Sequence, residues 1–161
     1  MRDANDASAL GPTEEVDMVG LAAEECARTG AELEIVPGTP PALVQGHARL
    51  LRRVLRNLLE NTRRYGRNRD AAGEADVCLT VEGRGDRVRV LVDDRGPGVP
   101  PELRERIFEP FYRLPGASER EGGVGLGLSL VRSIAQRHGG QVHCEGREGG
   151  GARFVLELPR A

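Results

Sequence analysis

The longest helical pattern in the chain runs from His47 to Tyr65, and it restricts the possible folds more than any other feature. At about 100° per residue, one broad side of this helix carries almost only apolar side chains. That side consists of Leu50, Leu51, Val54, Leu55, Leu58, Leu59 and Thr62. Over residues 49–67 the other side carries Arg49, Arg52, Arg53, Arg56, Arg63 and Arg67, with Glu60 among them. Such a helix must pack its apolar side on a second layer of structure.

Strand patterns on both sides of the helix supply that layer, because β-branched and polar residues alternate in several short segments. The predicted elements are helix 14–30, strands 31–37 and 42–46, helix 47–65, strands 76–83 and 86–94, a short helix within 101–113, a loop over 114–125, helix 126–140, and strands 141–146 and 152–159. The predicted fold class is α+β: a two-layer α/β sandwich in which helices cover one face of a mixed sheet. Residues 1–12 are predicted to be a linker or disordered end, and 13–161 one domain.

All 23 basic side chains are arginine, which excludes several ways of handling phosphate. P-loop and protein-kinase sites place a lysine on the phosphates, and Schiff-base or PLP chemistry needs a lysine amine. Cys26, Cys78 and Cys144 lack CxxC spacing, and the three histidines lack metal-ligand spacing, so we expect small, reduced core cysteines. No apolar run approaches the roughly 18 residues of a membrane span. A phosphate site here must use arginine, backbone N–H groups or a metal.

Three polar residues lie at the seam between the two sides of the long helix. Asn57, Asn61 and Arg64 follow the spacing i, i+4, i+7, which stacks them along one line of the surface. Asparagine favours caps and turns, so two at this spacing are unusual in a helix interior. One interpretation is that both amides are merely solvated. The other is a hard-cation site, where amide oxygen holds Mg²⁺, phosphates supply further ligands, and Arg64 faces the same phosphates.

Two glycine-rich segments indicate a second place for a ligand. In residues 90–100 an apolar strand ends in two aspartates and a turn, where Gly96 and Gly98 allow close backbone approach. This is either an ordinary connection, or Asp94 is a buried acceptor for an amino group such as that of adenine. Residues 122–127 place four glycines at a helix start, where free N–H groups bind anions. The alternative there is a flexible hinge, which is compatible with function.

Together these motifs resemble the catalytic ATP-binding domain of bacterial sensor histidine kinases, within the GHKL ATPase superfamily. Residues 51–66 are similar to the family's N box, 93–100 to its G1 box, 106–113 to its F box and 122–131 to its G2 box. The resemblance covers about residues 13–160, with the four boxes in the family's order. It implies the Bergerat ATP-binding fold, with ATP and Mg²⁺ as cofactors.

The resemblance implies a metal and phosphate site on the long helix. Asn61 would coordinate Mg²⁺, with Asn57 nearby, orienting the triphosphate or a metal-bound water. Arg64 would contact the phosphates, and Arg113 could reach toward the γ-phosphate; with Asn57 these are the expected catalytic residues. The backbone N–H groups of Gly123, Val124, Gly125, Leu126, Gly127 and Leu128 would surround the phosphates.

The resemblance also implies an adenine pocket. Tyr65 would line it, Asp94 would accept a hydrogen bond from the adenine amino group, and Gly96 and Gly98 would lie beneath the base. Arg95 departs from the asparagine that the family usually has there, which leaves open a changed rim. Phe108 and Phe111 would anchor one end of an ATP lid over about residues 108–124.

The implied function is donation of the γ-phosphoryl group to a histidine on a separate dimerisation/phosphoacceptor domain of the same kinase. A response regulator receiver domain would be an indirect partner. Gyrase- and MutL-like members have a water-activating glutamate where this chain has Asn57, and an amide is no base. No segment before Glu14 could form the acceptor helix, and His138 is expected to cap a helix end. The chain is therefore expected to be a cytoplasmic monomer that does not phosphorylate itself and contacts neither membrane nor nucleic acid, from a parent anchored in the bacterial inner membrane.

Two other functions are compatible with the sequence. An anti-sigma-type serine kinase has the same fold but phosphorylates a serine of its partner. A nucleic-acid-binding module is suggested by residues 49–69, which hold eight arginines against the single Glu60. The alternative for that segment is a solvated helix face, which the scarcity of aromatic residues favours.

Overall fold

The computed structural model describes residues 11–38, 40–65, 77–112, 127–147 and 149–161, with only the backbone described at 63–65. In chain order the elements are β1 (Glu14–Asp17), α1 (Met18–Thr29), β2 (Glu32–Ile35), β3 (Leu43–Gly46), α2 (Ala48–Tyr65), β4 (Cys78–Arg84), β5 (Arg87–Asp93), two 3₁₀ turns (Pro101–Leu103 and Arg106–Phe108), α3 (Gly127–Arg137), β6 (Gln141–Gly146) and β7 (Ala152–Pro159). Most of the linker predicted over 1–12 lies outside the described residues.

The main sheet has five strands in the order β2-β4-β5-β7-β6. Strands β2 and β4 are parallel, while the other three pairs are antiparallel, so the sheet is mixed. Its buried face shares one apolar core with α1, α2 and α3, because alternate strand residues such as Leu79, Val90 and Leu156 point toward the helices. The predicted α+β sandwich, with a mixed sheet and helices on one face, is confirmed. A separate two-stranded sheet pairs β1 with β3.

The first helix begins four residues later than the sequence pattern predicts. Residues Glu14–Asp17 form β1, which pairs antiparallel with β3 from Glu14↔Gly46 to Asp17↔Leu43. Asp17 then caps α1, since its Oδ1 accepts hydrogen bonds from the backbone N–H groups of Val19 and Gly20. The predicted helix over 14–30 was therefore wrong at its start, because the carboxylate of Asp17 marks the first turn. Its end at Gly30 is confirmed, with φ at 81°.

The short helix predicted within 101–113 is replaced by two 3₁₀ turns. Glu109, which precedes Pro110, has extended backbone angles with φ −76° and ψ 144°. The proline ring disfavours helical angles at the preceding residue, so the segment cannot continue as an α-helix. The apolar spacing there reflects the second of these turns, which buries Ile107 and Phe108.

The predicted strand at 31–37 forms as β2, at the edge of the sheet. Leu33 packs against the core, as its alternation predicts, but Ile35 is 48% exposed. An edge position leaves one side of the strand uncovered, which the local alternation does not reveal. Cys26 and Cys144 are buried free thiols and Cys78 is partly exposed, so the predicted absence of a disulfide holds for all three.

Candidate functional site

The polar seam of α2 faces the first turn of α3. The amide Nδ2 of Asn57 donates a hydrogen bond to the backbone carbonyl of Gly127, at 3.5 Å. Asn61 lies one turn further along α2, is partly exposed, and makes no hydrogen bond to another described residue. Thr62 turns the other way: it is buried, and its hydroxyl donates to the carbonyl of Leu59 at 2.8 Å. The Asn61 amide is therefore left for a ligand at the edge of the core.

An asparagine oxygen suits a hard cation better than a transition metal. Mg²⁺ takes oxygen ligands in octahedral geometry and retains several waters, so one protein ligand with phosphates is a sufficient donor set. Among the described residues no group of three or more histidines, cysteines, aspartates or glutamates could form an all-protein metal cage. The amide of Asn61, which no other described residue engages, thus fits a metal shared with phosphates.

Asp94 follows β5 and is almost completely buried, with 3% of its surface exposed. Its Oδ1 accepts two backbone hydrogen bonds, from Gly96 N at 2.9 Å and from Ala152 N at 3.1 Å. Burial raises the pKa of the carboxyl, and the two N–H donors lower it by less. No described residue donates to Oδ2. One oxygen of Asp94 thus holds the turn together, and the other is available to a hydrogen-bond donor from a ligand.

Gly151, just before β7, completes the surroundings of Asp94, and sequence reasoning assigned it no role. Its φ is +100°, and a Cβ there would collide with the carbonyl oxygen of Asp94 and lie 3.1 Å from the Cα of Arg95. Gly98, with φ +80°, is less crowded, but its Cβ would still make a tight contact, 3.2 Å from the Gly151 carbonyl oxygen. The turn after β5 and the loop before β7 are therefore in direct backbone contact. The run of three glycines at 149–151 could have indicated a close backbone approach from the sequence, and all three have positive φ in the structure.

The 3₁₀ turn at Arg106–Phe108 is fixed to both the sheet and α3. Phe108 is buried and meets the ring of Phe154 edge to face, with centroids 6.2 Å apart. On the other side, the guanidinium of Arg132 lies 4.7 Å from the Phe108 ring centroid and 2.8 Å from the carboxylate of Glu105. These contacts hold the turn in place from both directions.

Phe111 differs from the expectation that it anchors this segment together with Phe108. It is 68% exposed and has φ +67°, which is rare for a residue with a side chain. The predicted anchor is therefore wrong for Phe111, since the chain reverses direction after Pro110 and turns its ring outward. Phe108 is buried, as expected of an anchor, while most of the lid that it is predicted to hold lies outside the described residues.

Several predicted site residues cannot be placed in the same detail. The side chains of Arg64 and Tyr65 lie outside the described part of α2, although their backbone is helical. Arg113, Gly123, Val124, Gly125 and Leu126 also lie outside the described residues, as does most of the segment predicted as a lid. Gly127 and Leu128 open α3, so their N–H groups lie at its N-terminal end. The structure thus brings Asn57 and Gly127 together and surrounds Asp94 with glycine backbone.

The arginines of α2 are partly neutralised within the molecule. Glu25 of α1 is buried, and the guanidinium of Arg56 donates two hydrogen bonds to its carboxylate, at 3.1 and 3.2 Å. Arg52 reaches the same carboxylate at 3.2 Å and the neighbouring Glu24 at 2.6 Å, and Arg28 adds a contact at 3.4 Å. Burial by itself raises the pKa of Glu25, but the hydrogen bonds from Arg56 and Arg52 outweigh it and lower the pKa. This pairing disfavours the idea that α2 follows a nucleic-acid backbone.

No helix in the described ranges has the length and apolar character that crossing a bilayer requires.

Comparison with known proteins places this arrangement in a family. The family described as "Histidine kinase-, DNA gyrase B-, and HSP90-like ATPase" matches residues 46–161. The chain is 47% identical over 123 residues to the sensor protein RstB of Escherichia coli K12, covering 73% of this chain and 27% of RstB. It therefore spans about a quarter of that relative's length.

Solved structures agree with the sequence relatives. The ATP binding domain of PrrB from Mycobacterium tuberculosis matches with a TM-score of 0.69 and 31% identity, over 94% of this chain and 99% of that one. Full-length ShkA, solved in complex with AMPPNP, matches with a TM-score of 0.71 and 32% identity, over 92% of this chain and 31% of ShkA. The chain belongs to the family of histidine kinase-, DNA gyrase B- and HSP90-like ATPases, and within it is the catalytic domain of a sensor histidine kinase.

Proposed function

We propose that this chain binds Mg-ATP and transfers the γ-phosphoryl group to a histidine on a separate dimerisation/phosphoacceptor domain of the same kinase. The observation that carries the proposal is the divided role of Asp94: Oδ1 is held by two backbone N–H groups, while Oδ2 accepts no hydrogen bond from the described residues. A rigid, buried acceptor suits an exocyclic amino group such as that of adenine.

The phosphates would lie between the seam of α2 and the N-terminus of α3. Asn61 would supply an amide oxygen to Mg²⁺, and the N–H groups of Gly127 and Leu128 would face the phosphate oxygens. Arg64, Arg113 and the N–H groups of 123–126 would complete this binding region, with Tyr65 at the base. When bound, the metal would neutralise charge on the β- and γ-phosphates.

Transfer would follow in-line displacement. A ring nitrogen of the acceptor histidine attacks the γ-phosphorus and forms a P–N bond, while the bond to the β–γ bridging oxygen breaks. ADP leaves with that electron pair. The attacking nitrogen uses its lone pair and carries no proton, so the proton that is released comes from the other ring nitrogen. The chain's own contribution is positioning and electrostatic stabilisation. Asn57 activates no water, because its amide donates to Gly127 and has no basic lone pair.

The partners follow from this chemistry. The acceptor domain would present its histidine to the γ-phosphate, and a response regulator receiver domain would take the phosphoryl group afterwards. We place this domain on the cytoplasmic side of a parent protein anchored in the inner membrane, where ATP is available. We expect the isolated domain to be a monomer.

A transfer assay tests the proposal. The chain is mixed with the purified dimerisation/phosphoacceptor domain and ATP labelled at the γ-position. We expect acid-labile label on the acceptor and none on this chain, since phosphohistidine is acid-labile. Acid-stable label would indicate a serine acceptor and contradict the proposal in favour of the anti-sigma-type alternative.

The proposed coordination of Mg²⁺ by Asn61 is tested by the variant Asn61→Ala. In Asn61→Ala, thermal stabilisation by ATP should become nearly the same with Mg²⁺ as with EDTA, while the parent should be stabilised more with Mg²⁺. At 100 times the Kd, ligand binding stabilises by roughly 2.7 kcal/mol, which a melting curve resolves. Gln136→Ala, on the exposed side of α3, is the control and should keep the full response to Mg²⁺. An undiminished response to Mg²⁺ in Asn61→Ala would contradict the assignment.

A further inference from the structure

Helices α2 and α3 lie side by side, and two polar contacts join them, one at each end of α3. At one end, Asn57 donates to the carbonyl of Gly127 at 3.5 Å. At the other end, His138 accepts a hydrogen bond at Nε2 from the backbone N–H of His47, at 3.1 Å. Ten residues separate the two contact points on α2 and eleven separate them on α3. The spans are nearly equal and run in opposite chain directions, so the two helices are antiparallel. The two contact points lie about 15 Å apart along the helix axes.

The contacts of His138 specify a single neutral tautomer. Its Nδ1 lies 2.8 Å from the carbonyl oxygen of Ile134, which can only accept, so Nδ1 carries the proton. Nε2 is then unprotonated and accepts from His47 N. The imidazole thus links the C-terminal carbonyls of α3 to the N-terminus of α2, where His47 precedes the first helical residue.

The fold leaves a fitted space for this ring. A Cβ on Gly46 would lie 2.6 Å from Nε2 of His138, so only glycine allows the ring to approach β3. The His47 ring meets it edge-on, with centroids 5.7 Å apart. Burial lowers the pKa of His138, and the nearby His47 and Arg137 act in the same direction, while the Ile134 carbonyl opposes them. The arrangement therefore favours the uncharged ring that can accept from His47.

We propose that His138 is a positioning residue for the nucleotide site: by joining Ile134 to the backbone of His47, it determines where Gly127 lies along α2 relative to Asn57. The proposal rests on the proposed function, because it takes the Asn57–Gly127 junction as part of the ATP site. Apolar packing between the helices allows small sliding, whereas two directional contacts at the two ends of α3 define one register. His138 acts on the site from about 15 Å away, without contact to the ligand.

Two variants of His138 distinguish the effect of its hydrogen bonds from the effect of the space that its ring fills. His138→Phe keeps the ring and removes both bonds, whereas His138→Gln returns an acceptor near the position of Nε2. We expect His138→Phe to weaken ATP binding about 3- to 10-fold, the effect of one lost hydrogen bond on the register, and His138→Gln to recover most of this loss. The measurement is calorimetric titration at a temperature where each variant is folded.

Two controls exclude a general loss of stability. His143→Phe alters a partly exposed histidine on β6 that pairs with Glu145, and ATP binding should not change. Val81→Ala opens a space in the core beneath α1 and should lower the melting temperature without weakening ATP binding. Equal weakening in Val81→Ala and His138→Phe would overturn the proposal.

A measurement without nucleotide tests the effect of His138 on the Asn57–Gly127 contact separately from ATP binding. In the ligand-free state, His138→Phe should shift the NMR signals of the Asn57 side-chain amide and the Gly127 backbone amide, and His143→Phe should not. Unchanged signals at both positions would overturn the positioning role even if the parent binds ATP. Failure of the parent to bind ATP would refute the proposed function alone.

Discussion

Asp93 and Asp94 are adjacent in the sequence, yet they occupy opposite kinds of environment. Asp93 lies on the open face of the sheet and pairs with Arg153 of β7 through two hydrogen bonds, at 2.7 and 3.1 Å. Asp94 lies on the helix side, buried and without an ion pair to any arginine in the described ranges; its donors are the N–H groups of Gly96 and Ala152. The strand turns successive side chains to opposite faces, so one residue step changes the chemistry of the carboxylate.

The difference shows how the same side chain becomes structural or available for binding. Asp93, with 14% of its side chain exposed, has its acceptor capacity taken up by the guanidinium of Arg153, and we expect such a partly exposed pair to add only modestly to stability. A buried carboxylate without a paired cation is poorly solvated, and this loss of solvation raises the pKa of Asp94. Such a carboxylate can still accept a hydrogen bond from a ligand. A binding role is therefore expected at Asp94 and a structural one at Asp93.

The largest expected effect is that of Asp94→Asn on ATP binding. The amide retains an oxygen for Gly96 N and Ala152 N, so the turn should still form, but its NH₂ group would face the donor of the ligand. We expect binding to weaken about 10- to 150-fold, the value of one charged hydrogen bond of about 1.5 to 3 kcal/mol. Asp93→Asn is the matched control, one residue away, and calorimetry should find its affinity unchanged. Equal losses of affinity in the two variants would contradict a binding role of Asp94 that Asp93 does not share.

The second effect concerns the backbone contact behind Asp94. Gly151→Ala would bring a Cβ against the Asp94 carbonyl, whereas Gly150→Ala, also at positive φ, meets no atom within 4 Å. Both changes carry backbone strain of about 1 to 3 kcal/mol, so the difference between them isolates the contact. We expect Gly151→Ala to have the lower melting temperature and weaker ATP binding. Equal values for the two variants would show that the contact has no influence on the site.

The dependence of stability on pH should reveal the raised pKa of Asp94 with a defined sign. Because the pKa of folded Asp94 is raised above its ordinary value of 3.8, its stabilising contribution is present below that value and is lost as pH rises through the folded pKa. Replacement by asparagine removes this loss. The stability of Asp94→Asn relative to the parent should therefore increase as pH rises from about 4 to 7, as chemical denaturation at several pH values would measure. A constant difference across this range would contradict the assigned direction.

The smallest expected effect is that of Asp93→Asn on stability. Its pair with Arg153 is only partly exposed, at 36% for the Arg153 side chain and 14% for that of Asp93, so we expect it to contribute about 1 kcal/mol, the upper end of the range for exposed pairs. We expect a slightly lower melting temperature, and a smaller difference from the parent at high salt because the pair is screened. A loss above about 2 kcal/mol would show that the open face depends on this pair more than its exposure implies.

Much of this architecture was predictable from local pattern. The apolar side of α2, the two hairpins and the Gly30 cap follow from periodicity and turn chemistry within a few residues of each other. Two errors of the helix prediction had local signals. Asp17 is a typical N-cap residue at the true start of α1, and Pro110 disfavours helical angles at Glu109. The exposure of Ile35 and of Phe111 had no such signal, because it depends on which elements cover them.

The sequence by itself determined the three long helices, the five strands of the main sheet, the family, and the residue types at the helix seam and at the end of β5. Only the tertiary structure decided that Gly151 lies against Asp94, that Glu25 takes up the charge of Arg56, and that His138 reaches the backbone of His47. The physical reason is the same in each case. These pairs are separated by tens of residues, and their contacts depend on strand order and helix register, which no local periodicity contains.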